Sequence, residues 1–328
     1  VFSSWTLRKK YLIIVGMKQK SINLLFMGTP AMSAYVFEAM ILAGYHFVGL
    51  ICQPDRPVGR KGSIEKAPTK VVAEKYNIPV FQPLKIRDDY SFMNGLNVDL
   101  VITFAYGQIV PQGFLDIPPL GCLNLHGSLL PKYRGASPIQ TVLFNHEQLT
   151  GVTLMEMVKA MDAGKVYGKK EIIIDEEDNT SSLMVKMQEA AKDLVLELLP
   201  KYIAGELIGV EQDVNEVTFC TMIKPEHEKI NLDNSIDQIW GLIRGLSDEP
   251  GAYLMLNEQK VKIFKAKILN RSVTHEVGTI VQADKRGLIL QLKDGQLAVL
   301  QLQKEGKKKL DYLSFINGNP NLVGQKFV

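Results

Sequence analysis

The chain has 328 residues, a formal net charge of +3 and 46% hydrophobic residues, a globular composition with enough length for one large and one smaller domain. Its three cysteines, Cys52, Cys122 and Cys220, are too few and too scattered for a disulfide framework, and no CxxC or His/Cys cluster suggests zinc. The chemistry is expected to be metal-free, with free thiols in a reducing cytoplasm.

Residues 1–21 read as an N-terminal extension, with Met17 a plausible start. Leu7-Arg-Lys-Lys10 before Tyr11-Leu-Ile-Ile-Val15 faintly suggests a targeting segment, and an organellar presequence is the lesser alternative to a bacterial cytoplasmic protein. The apolar run is too short to span a bilayer, so no membrane association is expected. Ile22–Met27, Met32–Ala43 and Phe47–Cys52 then read as strand, helix and strand. A helix over Thr69–Tyr76, a strand over Pro79–Phe81 and a strongly apolar strand over Leu100–Phe104 extend the pattern. Buried parallel strands appear as unbroken apolar runs, so the fold class is α/β, a Rossmann-like, doubly wound, mainly parallel sheet. The turn Gly28-Thr29-Pro30 lacks GxGxxG, which argues against a nicotinamide dehydrogenase.

Between the second strand and the next helix, Arg56, Arg60, Lys61, Lys66 and Lys70 face only Asp55 and Glu65. A loop longer than an ordinary α/β connection, basic and glycine-bearing, is either functional or a solvated excursion. The strand Gly121–His126 ends in Asn124-Leu-His126-Gly-Ser128-Leu-Leu-Pro131. Side chains two apart in a strand share a face, so an amide and an imidazole leave the strand together, at the strand end where α/β sheets bind ligands. Met161-Asp162-Ala-Gly164 follows the strand-like Gly151–Val158. Alone, Asp162 is an ordinary turn residue. Beside His126 it would fix the imidazole tautomer, while Asn124 offers an N–H to a developing oxyanion. No serine or cysteine has a role in this set, so it reads as direct acyl-type transfer by an external nucleophile.

A long amphipathic helix runs from Thr180 to about Ala204, with Thr180 or Ser181 as N-cap and Leu183, Met187, Ala190, Ala191, Leu194 and Leu198 facing the core. Residues 206–228 read as a linker between a catalytic domain at 22–205 and a C-terminal domain at 229–328. In the latter, a helix over Ile236–Arg244 precedes five short strands, at Tyr253–Leu256, Val261–Ile268, Gly278–Ala283, Leu288–Leu292 and Leu297–Leu302. Five strands with close turns suit a small OB-like β-barrel. From Asn257 onward there are thirteen Lys/Arg against six Asp/Glu, a local charge of +7. Such a basic stretch favours a polyanion or is simply a solvated surface. Lys304-Glu-Gly-Lys307-Lys308-Lys309, with Lys262, Lys265 and Lys267, offers candidate phosphate contacts. His46, His146, His227 and His275 have no partner at a telling spacing.

The combination Asn124-x-His126-x-Ser128-Leu-Leu-Pro131-x-x-Arg134-Gly135 with Met161-Asp162-x-Gly164 resembles the formyltransferases that use 10-formyltetrahydrofolate. Met27-Gly-Thr-Pro30, Gln53-Pro-Asp-Arg56-Pro-x-Gly-Arg60 and Ala136-x-Pro138-Ile-Gln140 are similar to the branch of that family whose acceptor is methionyl initiator tRNA. The resemblance runs from about Ile22 to the C-terminus. It implies that Asn124 and His126 flank the formyl carbonyl and act with Asp162 as the catalytic set. The folate would meet Ser128, Leu129, Leu130 and Pro131, together with Phe104, Tyr106, Gln108 and Ile109. The tRNA would meet Arg56, Arg60 and Lys61 on the basic loop and Lys307 and Lys308 in the barrel. No further protein partner is implied. A glycinamide ribonucleotide or amino-sugar nucleotide acceptor, and an RNA-binding module on an inactive fold, are the rival readings. The family's Trp-Pro-Gly-like segment is replaced here by Asp248-Glu249-Pro250-Gly251, without the aromatic.

Overall fold

The computed structural model describes residues 22–58 and 63–328; the expected extension at 1–21, and Arg60 and Lys61, lie outside the described residues. In chain order come β1 (Leu24–Met27), α1 (Ala31–Leu42), β2 (Phe47–Ile51), β3 (Arg56–Val58), β4 (Ser63–Glu65), α2 (Pro68–Lys75), β5 (Val80–Phe81) and β6 (Leu100–Thr103). There follow α3 (Gln112–Leu115), β7 (Cys122–His126), β8 (Arg134–Gly135), α4 (Pro138–Phe144), β9 (Leu149–Glu156), β10 (Val166–Ile173) and α5 (Thr180–Ile203). The remainder holds β11 (Phe219–Cys220), α6 (Ile236–Gly245), β12 (Ala252–Leu256), β13 (Gln259–Asn270), β14 (Ile280–Asp284), β15 (Gly287–Leu292), β16 (Gly295–Lys304), β17 (Leu310–Asp311) and α7 (Tyr312–Asn317). Among the described residues no helix is long and apolar enough to cross a membrane.

The described residues fall into two compact units whose sequences interleave. The first runs to Ala136 and adds Thr150–Ile172 and Val185–Phe219; the second holds Ser137–Leu149, Ile173–Met184 and Cys220–Val328. The stretch expected as a linker is thus divided between them at residue 219.

The first unit is built on a seven-stranded sheet of order β10-β9-β7-β6-β1-β2-β5. The pairs β5–β2, β2–β1, β1–β6 and β6–β7 are parallel, and β7–β9 is antiparallel. The parallel strands are apolar because both faces are covered. Leu25 and Met27 of β1 pack with Phe114, while Phe26 stacks on Phe37 of α1 at 4.7 Å. The chain leaves β1 toward β2 on one side and returns to β6 on the other, so the strand order reverses between β1 and β6. That reversal opens a crevice at their carboxyl ends. There the chains meet closely: a Cβ on Gly28 would lie 2.6 Å from the Phe104 carbonyl oxygen, which only glycine permits.

The expected stripe of α5 is buried, with Leu183, Met187 and Ala191 fully inaccessible. Its N-cap is neither Thr180 nor Ser181. Asn179 caps instead, its Oδ1 accepting the Ser182 N–H at 3.0 Å. The hydroxyls of Thr180 and Ser181 are committed elsewhere, to the Gly245 carbonyl and to Asp248.

In the second unit an antiparallel sheet runs β12-β13-β16-β15-β14, with β17 added to β16. Its two open edges are closed by the C-terminal segment, which bridges Leu256 through Phe327 and Thr279 through Lys326. Closure removes exposed edges, as an OB-like barrel requires. Strands β12 to β16 begin and end close to the expected positions, whereas this closing segment carried no strand signal. Helix α6 lies close against α4 because Gly241 and Gly245 leave no side chain between them; added Cβ atoms would meet the Leu143 carbonyl at 2.5 Å and the Phe144 ring at 2.3 Å. Phe327 is 1% exposed in the barrel core. Phe327→Ala is therefore expected to cost about 3–5 kcal/mol by urea denaturation; an unshifted midpoint would show that the closing segment adds nothing.

Candidate active site

Asn124 and His126 lie on β7, in register with Met155 and Thr153 of β9, and Asn124 also pairs with Thr103 of β6. The sheet therefore holds both side chains at one strand end on the same face. His126 is 6% exposed, and its Nε2 lies 2.8 Å from the Tyr133 carbonyl. A carbonyl only accepts, so Nε2 carries a proton and donates. Nδ1 is left as the nitrogen that exchanges a proton, and it faces Asp162 Oδ2 at 3.7 Å. That separation exceeds a hydrogen bond, leaving room for a third polar atom to reach both groups. The same Asp162 oxygen accepts the Gly135 N–H at 2.8 Å, which fixes the carboxylate. The Asn124 amide makes no side-chain hydrogen bond among the described residues, and its donors remain open.

Two residues outside the motif hold the set in place. Gln212 Nε2 donates to the carbonyls of Asp162 and Gly164, both at 2.8 Å, while its Oε1 accepts from Arg134 at 3.0 and 2.8 Å. Thr153 donates from Oγ1 to the Ser128 carbonyl at 2.6 Å and accepts the Leu130 N–H at 3.2 Å. Gly164 is forced, since a Cβ there would sit 2.1 Å from the Glu156 carbonyl oxygen. Asp162 and Tyr133 both take left-handed backbone, with φ of 49° and 60°. Two non-glycine residues in that region beside one imidazole mark a site held in shape by its surroundings.

The crevice beside this set is lined by strand ends. Thr29 Oγ1 accepts the Gln53 N–H at 3.1 Å, and Gln53 Nε2 donates to the Tyr106 carbonyl at 3.0 Å. Phe104 and Tyr106 are buried to 1% and 3% exposure. Their rings are core, and burial pushes the Tyr106 hydroxyl well above its ordinary range. Gln108 is spent internally: its Oε1 accepts the Ile86 N–H at 2.8 Å and its Nε2 donates to Gln53 and the Leu84 carbonyl, both at 3.2 Å. Ile109, in contrast, is 75% exposed. Ser128 is buried and donates to the Lys132 carbonyl at 2.6 Å. Leu129 and Pro131 are half-buried, while Leu130 has no exposed surface. The Leu130 side chain packs into the interior, as leucines mostly do.

A family model described as "Formyl transferase" matches residues 20–199, and a second, "Formyl transferase, C-terminal domain", matches residues 222–320. The chain belongs to the formyl transferase family. The methionyl-tRNA formyltransferase of Lactobacillus acidophilus is 41% identical over 308 residues, covering 93% of this chain and 97% of that protein. Its counterpart in Malacoplasma penetrans is 40% identical over 303 residues, covering 92% and 95%. Among solved structures, the N-formyltransferase from Helicobacter canadensis, in complex with folinic acid and dTDP-3-aminofucose, superposes with a TM-score of 0.66 at 19% identity, covering 86% of this chain and 99% of that one. HypX from Aquifex aeolicus with tetrahydrofolic acid gives 0.61 at 15% identity, covering 89% and 46%. At such identities these two share the fold.

Of the other candidate residues in this formyl transferase, Arg56 opens β3 and is exposed, its Nη2 3.4 Å from Gln53 Oε1. Lys307 and Lys308 lie in the second unit, exposed in the turn between β16 and β17. Lys262 is not a free phosphate contact, because Glu228 lies 3.4 Å from its ammonium, which also donates to the Pro250 carbonyl. Gln212 escaped sequence reading because it sits in polar, aperiodic text and acts only through partners 48 to 78 residues away. Gln212→Leu removes two bonds to the Arg134 guanidinium and the donor to two carbonyls, and a loss of roughly 1–3 kcal/mol is expected. Thermal unfolding checks it, and an unchanged melting point would reduce Gln212 to a surface residue.

Proposed function

We propose that this chain transfers the formyl group of 10-formyltetrahydrofolate to the α-amino group of methionyl initiator tRNA, giving formylmethionyl-tRNA. One observation carries the chemistry: Asn124 and His126 leave β7 together, with the Asp162 carboxylate 3.7 Å from His126 Nδ1. The amine attacks the formyl carbon, and the carbonyl oxygen takes up negative charge. The open Asn124 N–H donates to that oxygen, and His126, its ring held by the Tyr133 carbonyl at Nε2, stabilises the tetrahedral intermediate once Nδ1 has taken up a proton. The proton lost by the amine passes through the gap between Nδ1 and Oδ2, and the folate N10 gains a proton as it leaves. The folate lies along the strand-end crevice, with Ser128, Leu129, Leu130 and Pro131 on one side and Phe104, Tyr106, Gln108 and Ile109 on the other. The exposed side chain of Ile109 gives a flat heterocycle an apolar surface to cover.

For the acceptor, the support is the likeness to methionyl-tRNA formyltransferases along nearly their whole length, including the C-terminal domain. In this reading 22–205 is the catalytic domain, 206–228 the linker and 229–328 the tRNA-binding domain. The tRNA meets Arg56, Arg60 and Lys61 on the basic hairpin segment and Lys307 and Lys308 in the barrel; phosphate contacts supply affinity and not sequence choice. The buried thiols of Cys52, Cys122 and Cys220 fit a reducing compartment, and the bacterial relatives favour the bacterial cytoplasm.

A formylation assay with charged initiator tRNA decides the reading, and no product from the native protein with ample donor would refute it. Asn124→Ala is expected to lower kcat by about 10²–10³, and His126→Ala to abolish turnover while tRNA binding survives, because the lost interactions form in the transition state. Equal collapse of binding would make His126 structural. Arg60→Ala should weaken productive use of tRNA and leave folate affinity intact; unchanged tRNA kinetics would remove the hairpin from the acceptor site.

A further inference from the structure

Beneath the hairpin β3–β4 lies a polar network that the chemistry above does not use. Asp55 directly precedes β3, and Ala67 follows β4 by two residues. The Ala67 N–H donates to Asp55 Oδ1 at 3.4 Å, so one carboxylate touches both feet of the hairpin. Lys70, in the first turn of α2, donates to Asp55 Oδ2 at 2.6 Å and to Gln82 Oε1 at 2.8 Å. Gln82 Nε2 returns to Asp55 Oδ1 at 2.8 Å and continues to the Gln53 carbonyl at 2.9 Å. From Gln53 the chain of bonds runs to the Tyr106 carbonyl at 3.0 Å and to Gln108 at 3.2 Å. The hairpin feet are thereby joined to the strand-end crevice by consecutive hydrogen bonds.

Among the described residues the other side-chain ties near the hairpin are solvent-exposed, Lys66 to Glu74 at 2.7 Å and Arg56 to Gln53 at 3.4 Å. Its strands have three residues each and, among the described residues, pair only with one another. An isolated two-stranded ribbon is marginal by itself, and Ile64 on it is 73% exposed, so packing does not orient it. The feet do. The Asp55 and Lys70 side chains are only 20% and 18% exposed, which protects a charge-assisted bond from solvent competition. Lys70, and after it Gln82, holds the Asp55 carboxyl below its ordinary range.

We propose that Asp55, Lys70 and Gln82 are positioning residues for formyl transfer, clamping the basic hairpin to the strand ends so that an acceptor held by the hairpin meets the donor carbonyl in register. The proposal rests on the tRNA reading given above. Small misplacements of reacting groups cost large factors in rate, so a loosened foot is felt at the chemistry without contact to it.

The test uses the full chain with Asp55→Asn, Lys70→Met and Lys70→Arg, in two measurements. Hydrogen exchange without substrates is expected to quicken over residues 56–67 in the first two variants, while β6 and β7 keep their protection and Lys70→Arg stays near native. In formylation assays the first two should lose roughly tenfold or more in kcat/KM for charged tRNA, with KM for the formyl donor little changed and Lys70→Arg restoring most of the loss. Unchanged exchange over 56–67 overturns the clamp. Quickened exchange with unchanged kcat/KM for tRNA overturns the positioning role and leaves a purely local contact. An inactive native protein is a separate outcome, because it sinks the acceptor reading and the kinetic role together whatever the exchange shows.

Discussion

The carbonyl of Tyr133 decides which nitrogen of His126 is free for chemistry. By accepting from Nε2 at 2.8 Å it fixes the tautomer, turns Nδ1 toward Asp162 and sets the plane of the ring. Tyr133 itself adopts φ of 60°, a conformation that costs a non-glycine residue of order 1 kcal/mol or more. The surrounding bonds supply that cost. The Tyr133 N–H donates to Thr218 at 2.8 Å, and the adjacent Arg134 N–H donates to the Thr218 carbonyl at 2.9 Å. Gln212 then grips the Arg134 side chain and the turn that carries Asp162. Moving any one of these shifts the imidazole or the carboxylate it faces.

Much of this was legible in the sequence, and the boundary of legibility follows the range of the interaction. Strands such as Leu100–Thr103 show as apolar runs because both sheet faces are buried, and α5 shows its stripe because a helix repeats its face every few residues. Asn124, His126 and Asp162 stood out because two lie at strand spacing and the third in a turn after a strand. Their mutual distance was not written in any local pattern. Neither was the cap of α5, where Asn179, Thr180 and Ser181 are all competent and the tertiary partners of the two hydroxyls decide among them. The segment that closes the barrel was invisible because it pairs at single bridges and not along a strand.

The hairpin and the candidate catalytic set illustrate two ways of placing polar side chains. His126 and Asp162 are held by backbone carbonyls and amides of strands and turns, with little freedom left. Arg56 is exposed on a ribbon whose feet are tied by Asp55 and Lys70. The first arrangement suits bond-making, where tenths of an ångström matter. The second suits a polyanion, whose phosphates are spaced widely and met by long, adaptable side chains.

The interleaving of the two units has a consequence for how this protein can be divided. Helix α4, supplied by residues from the middle of the chain, covers the face of α6 that Gly241 and Gly245 leave bare. A cut anywhere between 206 and 228 would therefore release a barrel fragment lacking α4 and baring an apolar groove shaped for it. A shuffled or grafted version of the barrel would have to carry α4 along or replace the two glycines with side chains that fill its place.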